Sequence, residues 1–303
     1  MRSEERPGRA PLIIALCAVC LVCALVITLT ASAGIVRVRS AEVTIEDLPE
    51  AFDGTRFLYI SDIDTCGGHG AKWLRSLAAQ LGAYQPEFMI VGGDLCAATV
   101  FEALNGGSAL EKSEERKEAL EALDAIECPM GKYMIPGEKD GDYMALGLIG
   151  TGTSFKEIVS APAILSKDGA EIMLAGVTGD EAFAQKLGAK VDSGRCVITA
   201  VHTPEDATAV RISEAADGGA WSDLILCGHT HGGLVRVLGL SMLSLTDKER
   251  QYIAGWYTDG AQPMLVSSGL GTDGIGLRLG TQSEVWMITL KCPEKEETTA
   301  SDD

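Results

Sequence analysis

Five predicted β-strands of this chain each lead, within a few residues, to a side chain that can bind a metal ion. The strands are residues 56–61, 88–91, 132–135, 196–201 and 224–227, and the side chains that follow are Asp62, Asp94, Glu138, His202 and the pair His229 and His231. Stretches with apolar residues at helical spacing, 69–81, 111–126 and 204–216, lie between them. The alternation predicts sheets flanked by helices. Because ligands in α/β proteins gather beyond the carboxyl ends of strands, it also predicts a metal site at that edge.

The two histidines after the last of these strands form the clearest metal-binding pattern. They belong to the segment Gly228-His229-Thr230-His231-Gly232-Gly233 and are two of the four histidines in the chain. Side chains two residues apart on a strand point to the same side, and glycines allow a turn that brings both imidazoles together. Imidazole is a common ligand of zinc, iron and related metals. For this motif alone, a glycine-rich turn with two polar residues is the alternative.

Taken in order, the motifs around these residues resemble a known family. They are Asp62-x-Asp64, Gly93-Asp94, Gly137-Glu138-Lys139-Asp140, His202 and Gly228-His229-x-His231. Their order resembles that of the calcineurin-like metallophosphoesterases. The stretches 201–205, 225–233 and 265–280 are similar to the membrane-anchored, bacterial-type branch of that superfamily. The resemblance extends over residues 45–290, nearly all of the chain beyond its amino-terminal segment.

The resemblance implies an α/β fold, a four-layer α-β-β-α sandwich of two mixed sheets that face each other between helices. It also implies two divalent metal ions (Mn, Fe or Zn) bridged by Asp94. Asp62, Asp94 and His231 would hold the first ion, and Asp94, His202 and His229 the second. Two cations about 3.5–4 Å apart can grip a phosphate and lower the pKa of a bound water towards about 7. The implied activity is hydrolysis of a phosphomonoester or phosphodiester by a metal-bound hydroxide.

Four residues depart from the family's pattern. Asp64 and Lys139 stand where the family has histidine, Glu138 where it has asparagine, and Ala97 where it has aspartate. Asp64 and Glu138 still offer oxygen ligands. The candidate metal ligands are therefore Asp62, Asp64, Asp94, Glu138, His202, His229 and His231. Oxygen-rich sites favour Mn²⁺ or Mg²⁺ over zinc. His69 is either a replacement for the lost histidine ligand or an ordinary loop residue.

Lys139 is the candidate catalytic residue, and its chemistry leaves two functions open. Its ammonium can hold a phosphoryl oxygen as a point charge, and it can donate a proton only if its pKa is lowered substantially. Alternatively, it can take the place of a metal and form ion pairs with Glu138 and Asp140. The first two cases describe a metal-dependent phosphoesterase. The third describes a catalytically weakened or inactive domain that binds a phosphorylated ligand or a partner at the membrane.

The amino-terminal segment predicts attachment to a membrane. Residues 11–35 contain no charged side chain, close to the roughly 20 residues that cross a bilayer as a helix. The expected organisation is a cytoplasmic tail (1–10), a transmembrane anchor (11–35), a metallophosphoesterase-like domain (36–291) and a disordered acidic tail (292–303). The small arginine excess before the apolar run favours a single-pass protein of the cell membrane with its domain outside the cytoplasm. The alternative is a signal peptide cleaved after 31–33.

Net charge and cysteine spacing argue against several classes of partner and site. The formal net charge of −18 argues against nucleic acid as a partner, because contacts to phosphates need clusters of lysine and arginine. The six cysteines beyond the apolar segment have no CxxC spacing, so they indicate neither a thiolate zinc site nor a disulfide framework. The expected partner is a phosphate-ester substrate that can be reached at a membrane face.

Overall fold

The computed structural model describes residues 10–66, 70–108, 112–141, 152–179, 181–237, 240–241, 245–260 and 262–294. Its first element is the helix α1 (Ala10–Ala33), whose segment Ile13–Thr30 has a mean hydropathy of 2.9 and is not buried against the rest of the chain. With 24 residues at about 1.5 Å per residue, α1 is about 36 Å long, enough to cross the hydrocarbon core of a bilayer. In the described ranges it is the one helix long and apolar enough to do so. The predicted tails lie almost wholly outside the described residues.

The first sheet contains six strands. Their order is β1 (Val36–Thr44), β14 (Ser283–Lys291), β2 (Arg56–Ile60), β3 (Phe88–Val91), β4 (Lys132–Met134) and β5 (Phe155–Glu157). Strands β2 to β5 run parallel, with Phe57 opposite Phe88 and Met89 opposite Lys132. Strand β14 pairs antiparallel with β2 and parallel with β1, which makes the sheet mixed.

The second sheet also contains six strands and is also mixed. Their order is β12 (Gly255–Tyr257), β13 (Met264–Val266), β9 (Leu224–Cys227), β8 (Val197–Val201), β7 (Ala170–Val177) and β6 (Ala163–Lys167). The four inner strands are parallel, and the edge strands β6 and β12 are antiparallel to their neighbours. A short separate ribbon pairs β10 (Arg236–Val237) with β11 (Leu240–Ser241).

Helices cover the outer faces of both sheets. They are α2 (Ala71–Gly82) and α4 (Ser113–Asp124) on the first sheet and α5 (Glu181–Gly188) and α6 (Pro204–Ile212) on the second. The short helices α3 (Val100–Leu104) and α7 (Asp247–Gln251) lie in connecting segments. One hydrophobic core lies between the sheets and contains Phe57 and Ile90 from the first and Ile198 and Leu226 from the second. Because neighbouring strand residues face opposite sides, Leu58 and Met89 pack instead in a core with α2 and α4. A third core joins the second sheet to α5 and α6.

These layers confirm the predicted four-layer α-β-β-α sandwich of two mixed sheets. Strands β3 and β9 begin and end where the sequence pattern predicts them, because all their residues are apolar and buried. The predicted helix 204–216 is shorter than expected and ends at Ile212, since Ser213 adopts an extended backbone. The boundaries predicted for the anchor (11–35) and the domain (36–291) stay predictions.

Candidate metal centre

The candidate ligands come from loops at the carboxyl ends of parallel strands in both sheets. Asp62 and Asp64 follow β2, Asp94 follows β3, and Glu138 and Lys139 follow β4. From the second sheet, His202 follows β8, and His229 and His231 follow β9. The two sheets face each other, so these loops meet at one edge of the sandwich. Asp62, Asp64, Asp94, His202 and His231 are at most 3% exposed.

The backbone of this region is left-handed at most of the candidate ligands. The angle φ is 50° at Asp62, 45° at Asp64, 53° at Asp94, 71° at His229 and 49° at His231. Such values are uncommon outside glycine, although aspartate and histidine tolerate them better than most residues. Strained backbone of this kind persists where the surroundings hold it, and it concentrates at functional sites. Its occurrence at five candidate ligands therefore supports a functional role for this edge.

Hydrogen bonds between the loops hold these conformations. The amides of Asp62 and Asp64 donate to the carbonyls of Gly93 and Asp94, each over 3.0 Å. The amide of His229 donates to Asp62 Oδ1 over 2.8 Å, which ties a loop of the second sheet to one of the first. The buried Arg278 donates to the carbonyls of five residues: His231, Ser268, Gly269, Gly271 and Gln282. The loops are thus fixed relative to one another by hydrogen bonds to backbone groups, two sets of which come from the side chains of Asp62 and Arg278.

One cluster of possible ligand atoms contains Asp62, Asp94 and His202, and we call it the Asp62 group. One ligand atom from each side chain lies within 4.8 Å of the others. His202 Nδ1 lies 2.8 Å from the carbonyl of Gly92; as the donor there, it orients Nε2 towards the two carboxylates. Among the described residues, Asp62 Oδ2, Asp94 Oδ2 and His202 Nε2 have no hydrogen-bond partner, although Asp94 Oδ2 has an ion-pair contact with Lys139. Buried polar atoms without hydrogen bonds require an explanation, and an ion is one.

A second cluster contains Asp64, His231 and Asp273, and we call it the Asp64 group. Its ligand atoms also lie within 4.8 Å of one another. Here the ammonium of Lys139 contacts the carboxylates: Nζ lies 3.0 Å from Asp64 Oδ1 and 2.8 Å from Asp273 Oδ1. The same Nζ lies 2.9 Å from Asp94 Oδ2. The two clusters therefore differ in how far the ammonium reaches: it contacts both carboxylates of the Asp64 group but only Asp94 of the Asp62 group.

Glu138 and His229 lie at the rim of these clusters. The Glu138 side chain is 58% exposed, and its Oε1 lies 3.8 Å from His229 Nδ1. The other ring nitrogen of His229 lies 2.7 Å from Glu249 Oε1. The rings of His229 and His202 are 5.2 Å apart between centroids. Neither rim residue belongs to the two clusters, and their predicted role as metal ligands stays a prediction.

The charges of the site act strongly on one another. Burial opposes charge on His202, but the carboxylates of Asp94 and Asp62 outweigh it and raise the pKa of the imidazole to about 10. Burial lowers the pKa of His231 to about 4, so this ring is neutral at neutral pH. For Lys139, burial is outweighed by Asp64, Asp94 and Asp273, which raise the pKa of the ammonium. An ammonium with a raised pKa is a poor proton donor at neutral pH.

Three residues of the site were not among the candidates from the sequence. Asp273 contacts Lys139 and has a left-handed backbone (φ 49°), Glu249 binds His229, and Arg278 holds the loops. Asp273 and Arg278 lie in the glycine-rich stretch 265–280, which was a signal that could have found them. The prediction that Lys139 pairs with Glu138 and Asp140 is wrong, since its ammonium contacts Asp64, Asp94 and Asp273. Asp140 pairs instead with the buried Arg116 over 3.3 Å. His69 lies outside the described residues.

Gly269 offers a test of how tightly Asp62 is held. Its φ is +69°, and a Cβ atom would lie 2.6 Å from Asp62 Cβ. Gly54 also has a positive φ (+76°) but has no atom within 4 Å of such a Cβ. We expect Gly269→Ala and Gly54→Ala each to lose about 1–2 kcal/mol from the left-handed backbone. Only Gly269→Ala should also weaken Mn²⁺ binding, by about 10–100-fold, because it displaces Asp62.

Thermal unfolding and Mn²⁺ titration of the full chain in detergent measure both effects. If Gly269→Ala bound Mn²⁺ as tightly as Gly54→Ala does, Asp62 would not be a ligand.

Comparisons with known proteins agree with this geometry. No protein-family model matches the chain. A zebrafish (Danio rerio) protein named "Transmembrane protein with metallophosphoesterase domain" is 25% identical over 84% of this chain, which spans 57% of that relative. The Bacillus subtilis "Uncharacterized metallophosphoesterase YkuE" is 21% identical over 84% of this chain and 86% of its own length. The Escherichia coli "Phosphodiesterase YaeI" is 38% identical over 68 residues, 22% of this chain and 25% of its own.

The names of these relatives match the resemblance carried by the motifs. The identities are low, and the similarity therefore applies to the superfamily and not to one activity within it. At that level, the chain is a homologue of proteins named metallophosphoesterases, one of which is named as a transmembrane protein.

Proposed function

We propose that this chain is a metal-dependent phosphoesterase that hydrolyses a phosphomonoester or phosphodiester. The observation that carries the proposal is the Asp62 group, whose ligand atoms lie within 4.8 Å of one another. Among the described residues, Asp62 Oδ2, Asp94 Oδ2 and His202 Nε2 are buried without a hydrogen bond, and Asp94 Oδ2 lies 2.9 Å from Lys139 Nζ. Two carboxylates and one imidazole suit a divalent cation, and their position beyond the strand ends suits a substrate. A 68-residue match to a protein named phosphodiesterase adds support for this class of substrate.

The residues present fit such a cation, which when bound would supply Lewis acidity and lower the pKa of a water. Asp62, Asp94 and His202 would hold it, and the His202 imidazole must lose its proton to do so. Lys139 stays positive among its three carboxylates, so it would attract a phosphoryl oxygen as a point charge and not as a free hydrogen-bond donor. Carboxylate oxygens dominate the two clusters, and we therefore expect Mn²⁺ or Mg²⁺ to be preferred over zinc.

A cavity of about 670 Å³ lies beside the site and has room for a substrate. Glu138 and His202 are among the residues that line it, together with Glu205 and Asp206. Its volume is in the usual range for small-molecule sites, about 300–1,000 Å³. The three carboxyl side chains in its wall oppose a free phosphate, so a substrate phosphate needs the positive charges of the centre to enter.

We infer that α1 anchors this activity in the cell membrane, with the domain outside the cytoplasm. The apolar, exposed α1 and a relative named as a transmembrane protein support the anchor. The side of the membrane rests on the arginine excess before α1. We expect a protease added outside sealed cells to digest the domain. Full protection from the protease would place the domain in the cytoplasm.

A second candidate function is binding of a phosphorylated ligand or a partner at the membrane, without turnover. It is favoured by Lys139, which contacts three carboxylates and replaces the histidine of the family's third motif. Losing a general acid costs about 10²–10⁴-fold in rate. If the site is only weakened, restoring the family residues with Lys139→His and Glu138→Asn should raise the rate. If it serves binding alone, the restored variant should stay inactive.

Hydrolysis of bis(4-nitrophenyl) phosphate by the full chain in detergent tests the proposed function. We expect release of 4-nitrophenol with Mn²⁺ and loss of this activity after a chelator removes the cation, because the cation would lower the pKa of a bound water. 4-Nitrophenyl phosphate, assayed in parallel, separates diesters from monoesters. A chain that binds Mn²⁺ but hydrolyses neither ester would favour the binding function.

A further inference from the structure

The backbone of Lys139 is fixed on both sides, so the direction of its side chain is determined by the fold. Its amide donates to Asp94 Oδ1 over 3.0 Å, and its carbonyl accepts a hydrogen bond from Arg116. Arg116 is itself held by the fully buried pair with Asp140. The turn that carries Lys139 is therefore clamped from the first sheet and from α4, and its ammonium points into the site.

The ammonium of Lys139 supplies hydrogen-bond donors and a positive charge to the carboxylates of the Asp64 group. It has three N–H donors, and three carboxylates surround it at 2.8–3.0 Å: Asp64, Asp94 and Asp273. Two of these carboxylates belong to the Asp64 group, whose ligand atoms lie close enough together to hold a cation. A lysine ammonium is a compact point charge, and it meets the need of this cluster for positive charge without a metal.

The Asp62 group is different. One oxygen of Asp62 and one nitrogen of His202 are buried without a hydrogen bond or a contact to the ammonium among the described residues. Asp94 lies between the two groups, because its Oδ2 lies 2.9 Å from Lys139 Nζ and 3.5 Å from His202 Nε2. The carboxylate that would bridge two metals thus faces an ammonium on one side and the remaining ligand atoms on the other.

We propose that this chain binds one divalent cation, at the Asp62 group, and that the Lys139 ammonium takes the place of the second cation. The proposal deepens the proposed function, because it assigns the two positive centres that would face a phosphate to one metal and one lysine. It departs from the pair of metals that the resemblance implies. Both carboxylates of the Asp64 group contact the ammonium, whereas Asp62 has no such contact among the described residues, so a second metal would have to displace Lys139 from the Asp64 group.

Counting bound Mn²⁺ tests the proposal without relying on activity. The full chain in detergent is dialysed against excess Mn²⁺, and metal per chain is measured for wild type, Lys139→Met and the control Lys167→Met. Lys167 also forms an ion pair, 2.9 Å from Glu87, but at the sheet edge away from the site. We expect one Mn²⁺ in wild type and control, and two in Lys139→Met, because methionine removes the charge and keeps the length.

Two Mn²⁺ in the wild type, none in the wild type, or one in a folded Lys139→Met would overturn the proposal. Should Lys139→Met fail to fold, electron paramagnetic resonance of the wild type decides: the spectrum of an isolated Mn²⁺ supports the proposal, and that of a spin-coupled pair contradicts it. A wild type that binds one Mn²⁺ but hydrolyses no ester would refute the proposed function and leave this inference standing.

Discussion

Asn in place of Asp94 is expected to remove both cation binding and phosphoesterase activity. Asp94 Oδ2 is buried, faces His202 Nε2 and contacts the Lys139 ammonium, so its charge serves both positive centres of the site. Asparagine keeps the acceptor for the Lys139 amide, and the fold should therefore persist. We expect Mn²⁺ affinity to fall by at least about 100-fold, because replacing even an outer partner of a metal ligand costs 10–100-fold. Hydrolysis of bis(4-nitrophenyl) phosphate should fall below detection.

A matched control for this variant is Asp223→Asn. Asp223 lies at the opposite end of β9 and accepts a hydrogen bond from the amide of Val197 over 2.7 Å. Its replacement removes one carboxylate charge far along the strand from the site, so Mn²⁺ affinity and hydrolysis should stay at wild-type values. Hydrolysis by a folded Asp94→Asn at the rate of this control would exclude Asp94 from the chemistry.

Replacing Arg116 with methionine is expected to be the most destabilising of these changes. Arg116 and Asp140 are fully buried and form an ion pair over 3.3 Å. Asp140 also accepts hydrogen bonds from the amides of Leu95 and Gly137, so the pair holds the turn that carries Lys139. Removal of one partner leaves a buried charge, which costs about 3–5 kcal/mol and should lower Tm by about 10 °C. Thermal unfolding of the full chain, followed by the fluorescence of buried tryptophans, measures the loss.

The neighbouring Lys117 gives the control for Arg116. Its pair with Glu121 is exposed on the same helix, with the two charged atoms 3.9 Å apart. Lys117→Met should change stability by no more than about 1 kcal/mol. Adding Asp140→Asn to Arg116→Met should recover part of the lost stability, because no buried charge is then left alone. Equal Tm values for Arg116→Met and Lys117→Met would show that the buried pair does not hold the turn.

The sequence predicted best the strands in which every residue is apolar and buried. Strands β3 and β9 are apolar runs buried throughout, and their bounds follow from composition alone. Strands β5 and β12 were missed because they have three residues each and lie at sheet edges, where half-exposed side chains give no clear alternation. The short helices α3 and α7 are fixed by capping boxes at Thr99 and Thr246, a signal that was present and not used.

The candidate site was predictable as a set of strand ends but not as a pattern of contacts. Asp62, Asp94 and His202 were identified because each follows a recognisable strand, and the structure brings them together. Asp273 lies seven residues beyond the end of β13, farther from its strand than the predicted ligands are from theirs, and the partner of Asp140 lies on α4, 24 residues earlier in the sequence. The partners of Lys139 depend on which loops meet in space. The prediction that Lys139 pairs with its sequence neighbours Glu138 and Asp140 was therefore wrong.

Anomalous diffraction at the manganese absorption edge, from crystals of the full chain grown with Mn²⁺, locates each bound cation directly. We expect a single anomalous peak bounded by Asp62 Oδ2, Asp94 Oδ2 and His202 Nε2, with the Lys139 ammonium still among its three carboxylates. A map without a peak at these three atoms, or with its peak between Asp64 and Asp273 and Lys139 displaced, would contradict this expectation.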